Sequence, residues 1–245
     1  MSVTSRYRVA WEGFWSEAPD EPGAVFWDAD PSLTAEKHLP LFEPHLTDPA
    51  LPLVDLGCGN GTQSRFLADR FPHVVGADIA EAALEHARHA DPKGRATYRQ
   101  LNAVDRSAAE ALHRELGDAN VYMRGVLHQV EPEDRRPLAD GIAALVGERG
   151  RVFLVEPSEV AGQVLKGLAQ GPAGPPPKIA SIFRHGIAPG TVADEAVPGY
   201  LRSAGLTVRA SGELPLITTE FAPDGTRIEL PSRWLVAGAG KRAAA

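Results

Sequence analysis

The stretch "LPLVDLGCGNGTQSRFLADRF", residues 51–71, poses the question on which the fold turns. An apolar run closes on Asp55, and Gly57, Gly59 and Gly61 alternate with other residues before a helix-like segment begins at once. Glycine opens backbone conformations closed to other residues and leaves room for a ligand against the main chain. A strand, a glycine turn and a helix N-terminus in succession form a cradle for a nucleotide-like ligand. One G-x-G alone is a weak signal. Here the context is complete, because a second apolar run, "HVVGAD", ends on Asp78 about 17 positions after Gly61. An acidic residue in that place can accept both hydroxyls of a ribose.

Outward from this stretch the chain keeps alternating. "TQSRFLADRF" puts Phe66, Leu67 and Phe71 on one side of a helix, and "IAEAALEHARHA" reads as the next helix. Strand "ATYRQLN", helix "SAAEALHREL", strand "ANVYMRGVL", a helix opened by Pro132 and the strand "GRVFLVEPS" follow in turn. Such βαβ alternation predicts an α/β layer fold around a largely parallel sheet, doubly wound. Beyond Ser158 the pattern breaks, and "GLAQGPAGPPPK" reads as a mobile Pro/Gly loop. A helix closed by Gly205 comes next, then two strand-like runs joined at "PDG" that are expected to pair antiparallel. No repeat of fixed period is present.

Composition narrows the class. Of 245 residues, 43% are hydrophobic and 23% charged, as in ordinary globular proteins, which allows one sizeable core or a domain with an inserted lid. A net charge of -7 without a basic block argues against a duplex nucleic-acid binder. The single cysteine, Cys58, excludes an internal disulfide framework and any multi-cysteine zinc site. With no signal-peptide core in "MSVTSRYRVAWEGFW" and no apolar run of about 20 residues, the expectation is a cytoplasmic protein that neither enters nor crosses a membrane.

Two ligand classes fit the glycine turn. Dinucleotide folds show G-x-G-x-x-G around a pyrophosphate, whereas this chain shows D-x-G-x-G-x-G. A carboxylate at the turn repels a pyrophosphate but can hold a cationic amino-acid end, which points to S-adenosylmethionine. The segment "LVDLGCGNGTQSRFLA" closely resembles the first motif of the class I S-adenosylmethionine-dependent methyltransferases, and the likeness extends over roughly residues 40 to 160 and more loosely to the C-terminus. The resemblance implies that Asp55, Gly57, Gly59, Gly61 and Ile79 border the cofactor, with Asp78 at its ribose. It further implies that Asn102 and Ala103 of "YRQLNAVD" meet the adenine, and it adds Arg124 at the end of the fourth strand. "VPGYLRSAGLTV" and "SRWLVAGAG" resemble the family's last helix and reversed last strand. The implied sheet has seven strands in the order 3-2-1-4-5-7-6 with strand 7 antiparallel.

Absences speak to the substrate. The (Asp/Asn)-Pro-Pro-(Tyr/Phe) motif of amino-methylating nucleic-acid enzymes is replaced by "MRGVLHQ". No cysteine nucleophile is available outside the cofactor turn, and Arg124 and Gly125 stand where catechol-type enzymes carry metal ligands. These features favour a small-molecule acceptor, as in secondary metabolism, and no metal. Residues 1–50 are expected to form a cap over a domain spanning 51–245, with a substrate lid inserted around 159–190. Trp15 and Trp27 in the cap, and Phe183, Arg184 and His185 in the lid, are the candidate substrate contacts. His128, just past strand four, is the first candidate for a general base, and Glu156, just past strand five, is the second. An aminopropyl transferase, a nicotinamide-dependent oxidoreductase and a non-catalytic cofactor-binding partner are the competing readings. The acceptor and the oligomeric state stay open.

Overall fold

Seven strands form one sheet in a computed structural model that describes residues 3–170, 174–187, 190–222 and 224–240. β1 (Leu53–Leu56), β2 (Val74–Asp78), β3 (Thr97–Gln100), β4 (Asn120–Arg124) and β5 (Arg151–Pro157) run parallel. β6 (Leu206–Phe221) and β7 (Arg227–Ala239) form a hairpin, with β7 lying between β5 and β6 and antiparallel to both. The order is β3-β2-β1-β4-β5-β7-β6, with the reversal that the resemblance implied.

Alternation along each strand separates two cores. Val54, Leu56, Val121 and Met123 face one side, where they pack on α5 (Arg106–Leu116), α6 (Arg135–Val146) and α9 (Ala196–Ser203). Leu53, Tyr122 and Phe153 face the other side, against α2 (Ala35–Phe42), α3 (Thr62–Leu67) and α4 (Glu81–Ala90). Because helices cover both faces, β1 and β2 are buried throughout rather than alternating between buried and exposed residues. Pro132 opens a short 3-10 turn, Pro132–Asp134, that leads into α6.

A third cluster lies at the carboxyl ends of the strands. There α1 (Val3–Glu17) contributes Trp11, Phe14 and Trp15, all buried. The expected loop over 167–178 differs from the structure at both ends. α7 (Glu159–Ala169) runs into it and α8 (Pro177–Arg184) leaves it, while residues 171–173 lie outside the described residues. Burial explains the difference. Ala161 of α7 and Ile179 and Ile182 of α8 join the cluster with Trp11 and Trp15, and that burial outweighs the helix cost of Gly162 and Gly167. Pro223 of the "PDG" turn is also outside the described residues, and Gly225 takes a left-handed conformation beside it.

Candidate active site

The turn between β1 and α3 is built from glycines that the backbone requires. Gly57, Gly59 and Gly61 have φ of 76°, 53° and 73°, a region in which other residues are strained. Gly57 N and Cys58 N both donate to Ala77 O of β2, at 2.7 and 3.1 Å, and lock the turn to the sheet. A Cβ on Gly59 would lie 2.8 Å from Cζ2 of Trp15, so the indole is seated directly on this glycine. Gly61 differs from its two neighbours in role. A Cβ there would meet Tyr98 and Ala87, and the residue does not line the cleft; it lets α3 pack closely.

Two buried carboxyls flank this turn. Asp55 is 3% exposed and accepts from Ser64 Oγ at 2.6 Å. Burial pushes its pKa up to about 6, against the opposing pull of the Ser64 hydrogen bond and the Arg124 charge. Asp78 accepts Gly59 N at 2.9 Å and Ala80 N at 3.0 Å, yet burial still raises its carboxyl above the usual range. Ile79, Asn102 and Ala103 line the same cleft, and Asn102 Oδ1 accepts Val104 N at 3.2 Å. Arg124 ends β4 with Nη2 donating to Trp27 O at 2.6 Å, while its Nη1 is buried without a partner. An orphaned guanidinium nitrogen in a cleft that also holds two carboxyls suits a zwitterionic amino-acid group.

The segment ahead of β1 roofs the cleft. Tyr7, Trp11, Trp15, Phe26 and Trp27 line it, and Trp11 and Trp27 meet edge to face with centroids 5.3 Å apart. Polar bonds tie this roof to the cradle. Glu12 accepts the backbone N–H groups of Glu81 and Ala82 at 2.8 and 3.1 Å, capping α4 from another element. Asn60 Nδ2 donates to Asp28 Oδ2 at 2.8 Å, and Gln63 Nε2 donates to Ala29 O at 2.9 Å. Tyr7 lies one helical turn before Trp11, a spacing that could have flagged it from the sequence.

Past β4 the chain turns sharply at Gly125, φ 68°, and carries His128 to the cleft. Glu156, at the end of β5 and 2% exposed, braces this turn. Its Oε1 accepts Val126 N and Leu127 N, each at 2.9 Å, and its Oε2 accepts His128 N at 3.2 Å and ring Nδ1 at 2.8 Å. Successive backbone N–H groups thus form an anion nest around the carboxylate. Glu156, the second candidate base, thus has both oxygens engaged by donors of the turn and does not itself line the cleft.

The far wall comes from α7, α8 and the hairpin. Leu165, Ile179, Ile182, Phe183, Leu216 and Leu230 line it, and Phe183 is 41% exposed at its edge. Arg184 and His185, the other two lid candidates, do not line it. Arg184 is exposed and bonds Ser181 Oγ, whereas His185 packs on Phe14 and lies 3.2 Å from Glu17. The face of α8 that presents Ile179, Ile182 and Phe183 to the cleft turns its C-terminal end away. A second cavity, lined by Ser158, Lys166, Thr191 and Val192, meets the first at His128, Pro157, Leu165 and Phe183. The sequence offered no signal for Leu216 and Leu230, which reach the cleft only because the long hairpin overshoots the sheet. Among the described residues no group of His, Cys, Asp and Glu could hold a metal ion, and no helix is long and apolar enough to cross a membrane.

Comparison with known proteins agrees with this geometry. The methyltransferase domain family matches residues 53–169. No curated protein matches the chain. A solved S-adenosylmethionine-dependent methyltransferase from Anabaena variabilis is 31% identical, covers 95% of each chain and superposes with a TM-score of 0.88. Magnesium protoporphyrin IX methyltransferase from Synechocystis, solved with bound S-adenosylhomocysteine, is 17% identical over 98% of this chain and 88% of its own, with a TM-score of 0.56. A further S-adenosylmethionine-dependent methyltransferase, from Methanosarcina mazei, is 16% identical over 82% of this chain and 97% of its own, at 0.59. The last two share the fold.

Proposed function

The chain belongs to the class I S-adenosylmethionine-dependent methyltransferases, and from that premise we propose that it methylates a small-molecule acceptor of secondary metabolism. The observation that carries this reading is enclosure. Five aromatic residues roof the cleft, and His128 within it is only 8% exposed, which supports an acceptor small enough to reach the ring beneath that roof. In this reading residues 1–50 act as the cap, and the insertion around 159–190 forms the acceptor wall.

The residues present fit the cofactor. Asp78 takes the ribose, Asn102 and Ala103 the adenine edge, and Ile79 the adenine face. Asp55 and the glycine turn hold the ammonium end, and the unpartnered Nη1 of Arg124 holds the carboxylate. When bound, the cofactor supplies an electrophilic methyl group on a sulfonium. The protein then contributes position and dryness. Fixing two reactants in line supplies up to roughly 7–11 kcal/mol of the barrier, and the aromatic roof keeps water from the site.

His128 serves as general base. The carboxylate of Glu156 can only accept, so Nδ1 of the ring carries a hydrogen, and Nε2, which lies 2.8 Å from Nε2 of Gln129, takes the acceptor's proton once that amide gives way. Incubation with methyl-labelled S-adenosylmethionine tests the assignment, using phenols, amines and thiols alongside RNA, DNA and denatured protein. Label should enter the small-molecule fraction alone. The His128→Ala enzyme should lose roughly 10²–10⁴-fold in turnover with S-adenosylhomocysteine affinity unchanged. Label on a polymer, or full turnover by His128→Ala, would sink the respective assignment.

A further inference from the structure

Beside the glycine turn, the carboxyl of Asp28 has two unlike oxygens. The residue belongs to the segment ahead of β1, is 6% exposed and lines the cleft. Its Oδ2 accepts Gly23 N at 3.0 Å and Asn60 Nδ2 at 2.8 Å. Its Oδ1 has no donor among the described residues and is not enclosed by protein. In a residue this buried, the surface that remains is the part bordering the cleft.

A carboxylate placed so deeply costs free energy unless a cation or further donors satisfy it. Among the described residues no lysine or arginine pairs with Asp28, and its two donors are neutral and share one oxygen. An anion held in this way selects a positively charged group. Its neighbours say which one. Asn60 belongs to the glycine turn, and Trp27, the residue before Asp28, gives its carbonyl to Arg124 at 2.6 Å. We propose that Asp28 binds the ammonium of the cofactor's amino-acid end through Oδ1, so that the bound cofactor itself fastens the cap to the cradle. The inference rests on the methyltransferase reading of this cleft and deepens it, by adding a carboxylate from the cap to Asp55 of β1. An ammonium carries three hydrogens, enough for both carboxylates and one backbone oxygen.

The surroundings of Asp28 agree with this assignment. Gly23 and Asn60 fix one oxygen, so the other is held in a set direction before any ligand arrives. Without a ligand, the bonds from Asn60 to Asp28 and from Gln63 to Ala29 are neutral ties between this part of the cap and the turn. The ammonium adds a charged one at the same place, next to Trp27 of the roof. A nucleoside without the amino group leaves Oδ1 unpaired and leaves the cap with its neutral ties alone.

The test uses the full chain and two ligands in calorimetry, S-adenosylhomocysteine and its deaminated counterpart, in which hydrogen replaces the amino group. In Asp28→Asn the amide oxygen can still accept from Gly23 and Asn60, while an NH2 stands where Oδ1 faced the cleft. That variant should bind S-adenosylhomocysteine about ten-fold more weakly or worse, and the deaminated ligand as the wild type does. Hydrogen exchange gives a second readout. At saturation, S-adenosylhomocysteine should slow exchange over residues 6–30 of the wild type more than the deaminated ligand does, and Asp28→Asn should erase that difference. The proposal is overturned if Asp28→Asn weakens both ligands alike or neither, or if the two ligands protect the wild-type cap equally. Failure of the wild-type chain to bind S-adenosylhomocysteine would instead remove the reading of the cleft, and this inference with it.

Discussion

Replacing Glu156 by alanine should unfold the protein more readily than any other single change at the cleft. Four donors converge on this carboxylate, three from the backbone of residues 126–128 and one from the His128 ring, at 2.8 to 3.2 Å. A hydrogen bond to a charged group contributes about 1.5–3 kcal/mol, and a buried donor left without a partner costs about 1–3 kcal/mol. Water entering the vacated space returns part of the loss, so a net cost on the order of 4–8 kcal/mol is expected for Glu156→Ala. That is a large share of the roughly 5–15 kcal/mol by which domains are stable. Glu156→Gln keeps one acceptor oxygen but turns an NH2 toward the remaining donors, and about half that cost should result. His128→Ala leaves the backbone nest intact and should cost only about 1–2 kcal/mol. Urea unfolding followed by tryptophan fluorescence orders the three variants by extrapolated free energy. If Glu156→Ala unfolds within about 1 kcal/mol of wild type while its turnover disappears, the carboxylate acts chemically and the bracing role is wrong.

Two further outcomes follow from the cradle. The buried Asp55 carboxyl holds its proton up to about pH 6 in the folded protein, against 3.8 when free. The native state therefore binds more protons than the unfolded chain in that window, and stability should fall as pH rises from about 4 to about 6. Because the ligand's ammonium needs the charged carboxylate, S-adenosylhomocysteine affinity should move the other way, weakening by about ten-fold or more between pH 8 and pH 5 in calorimetry. Asp55→Asn should flatten most of that dependence, and an unchanged profile would take Asp55 out of ammonium binding. At Gly59, with φ 53°, an added methyl meets the Trp15 ring at 2.8 Å. Gly59→Ala should cost about 2–4 kcal/mol from backbone strain and overpacking together. Adding Trp15→Ala should recover only the packing part, and a double-mutant cycle without coupling would mean that the cap does not rest on the turn.

The cradle was readable in the sequence because its requirements are local. Three left-handed backbone positions within five residues can be met only by glycines, and an apolar run before them and an amphipathic one after them set strand and helix by periodicity. Asp55 and Asp78 lie at the carboxyl ends of two neighbouring parallel strands, so adjacency of β1 and β2 was enough to bring them to the same turn. Trp11, Phe14 and Trp15 announced a buried helix face in the same way. Side-chain destinations across elements were another matter. Glu156 lies one residue before the end of its strand, and its partners came from the turn after β4, some 30 residues away in the chain. Arg184 and His185 follow Phe183 directly, yet the rotation of α8 against α1 sent only Phe183 to the cleft. Leu216 and Leu230 reached it through the length of a hairpin that nothing in their own neighbourhood specifies. Backbone preference acts over a few residues and is written where it acts, whereas the partner of a buried carboxylate or the facing of a helix is chosen by burial summed over the whole packed chain.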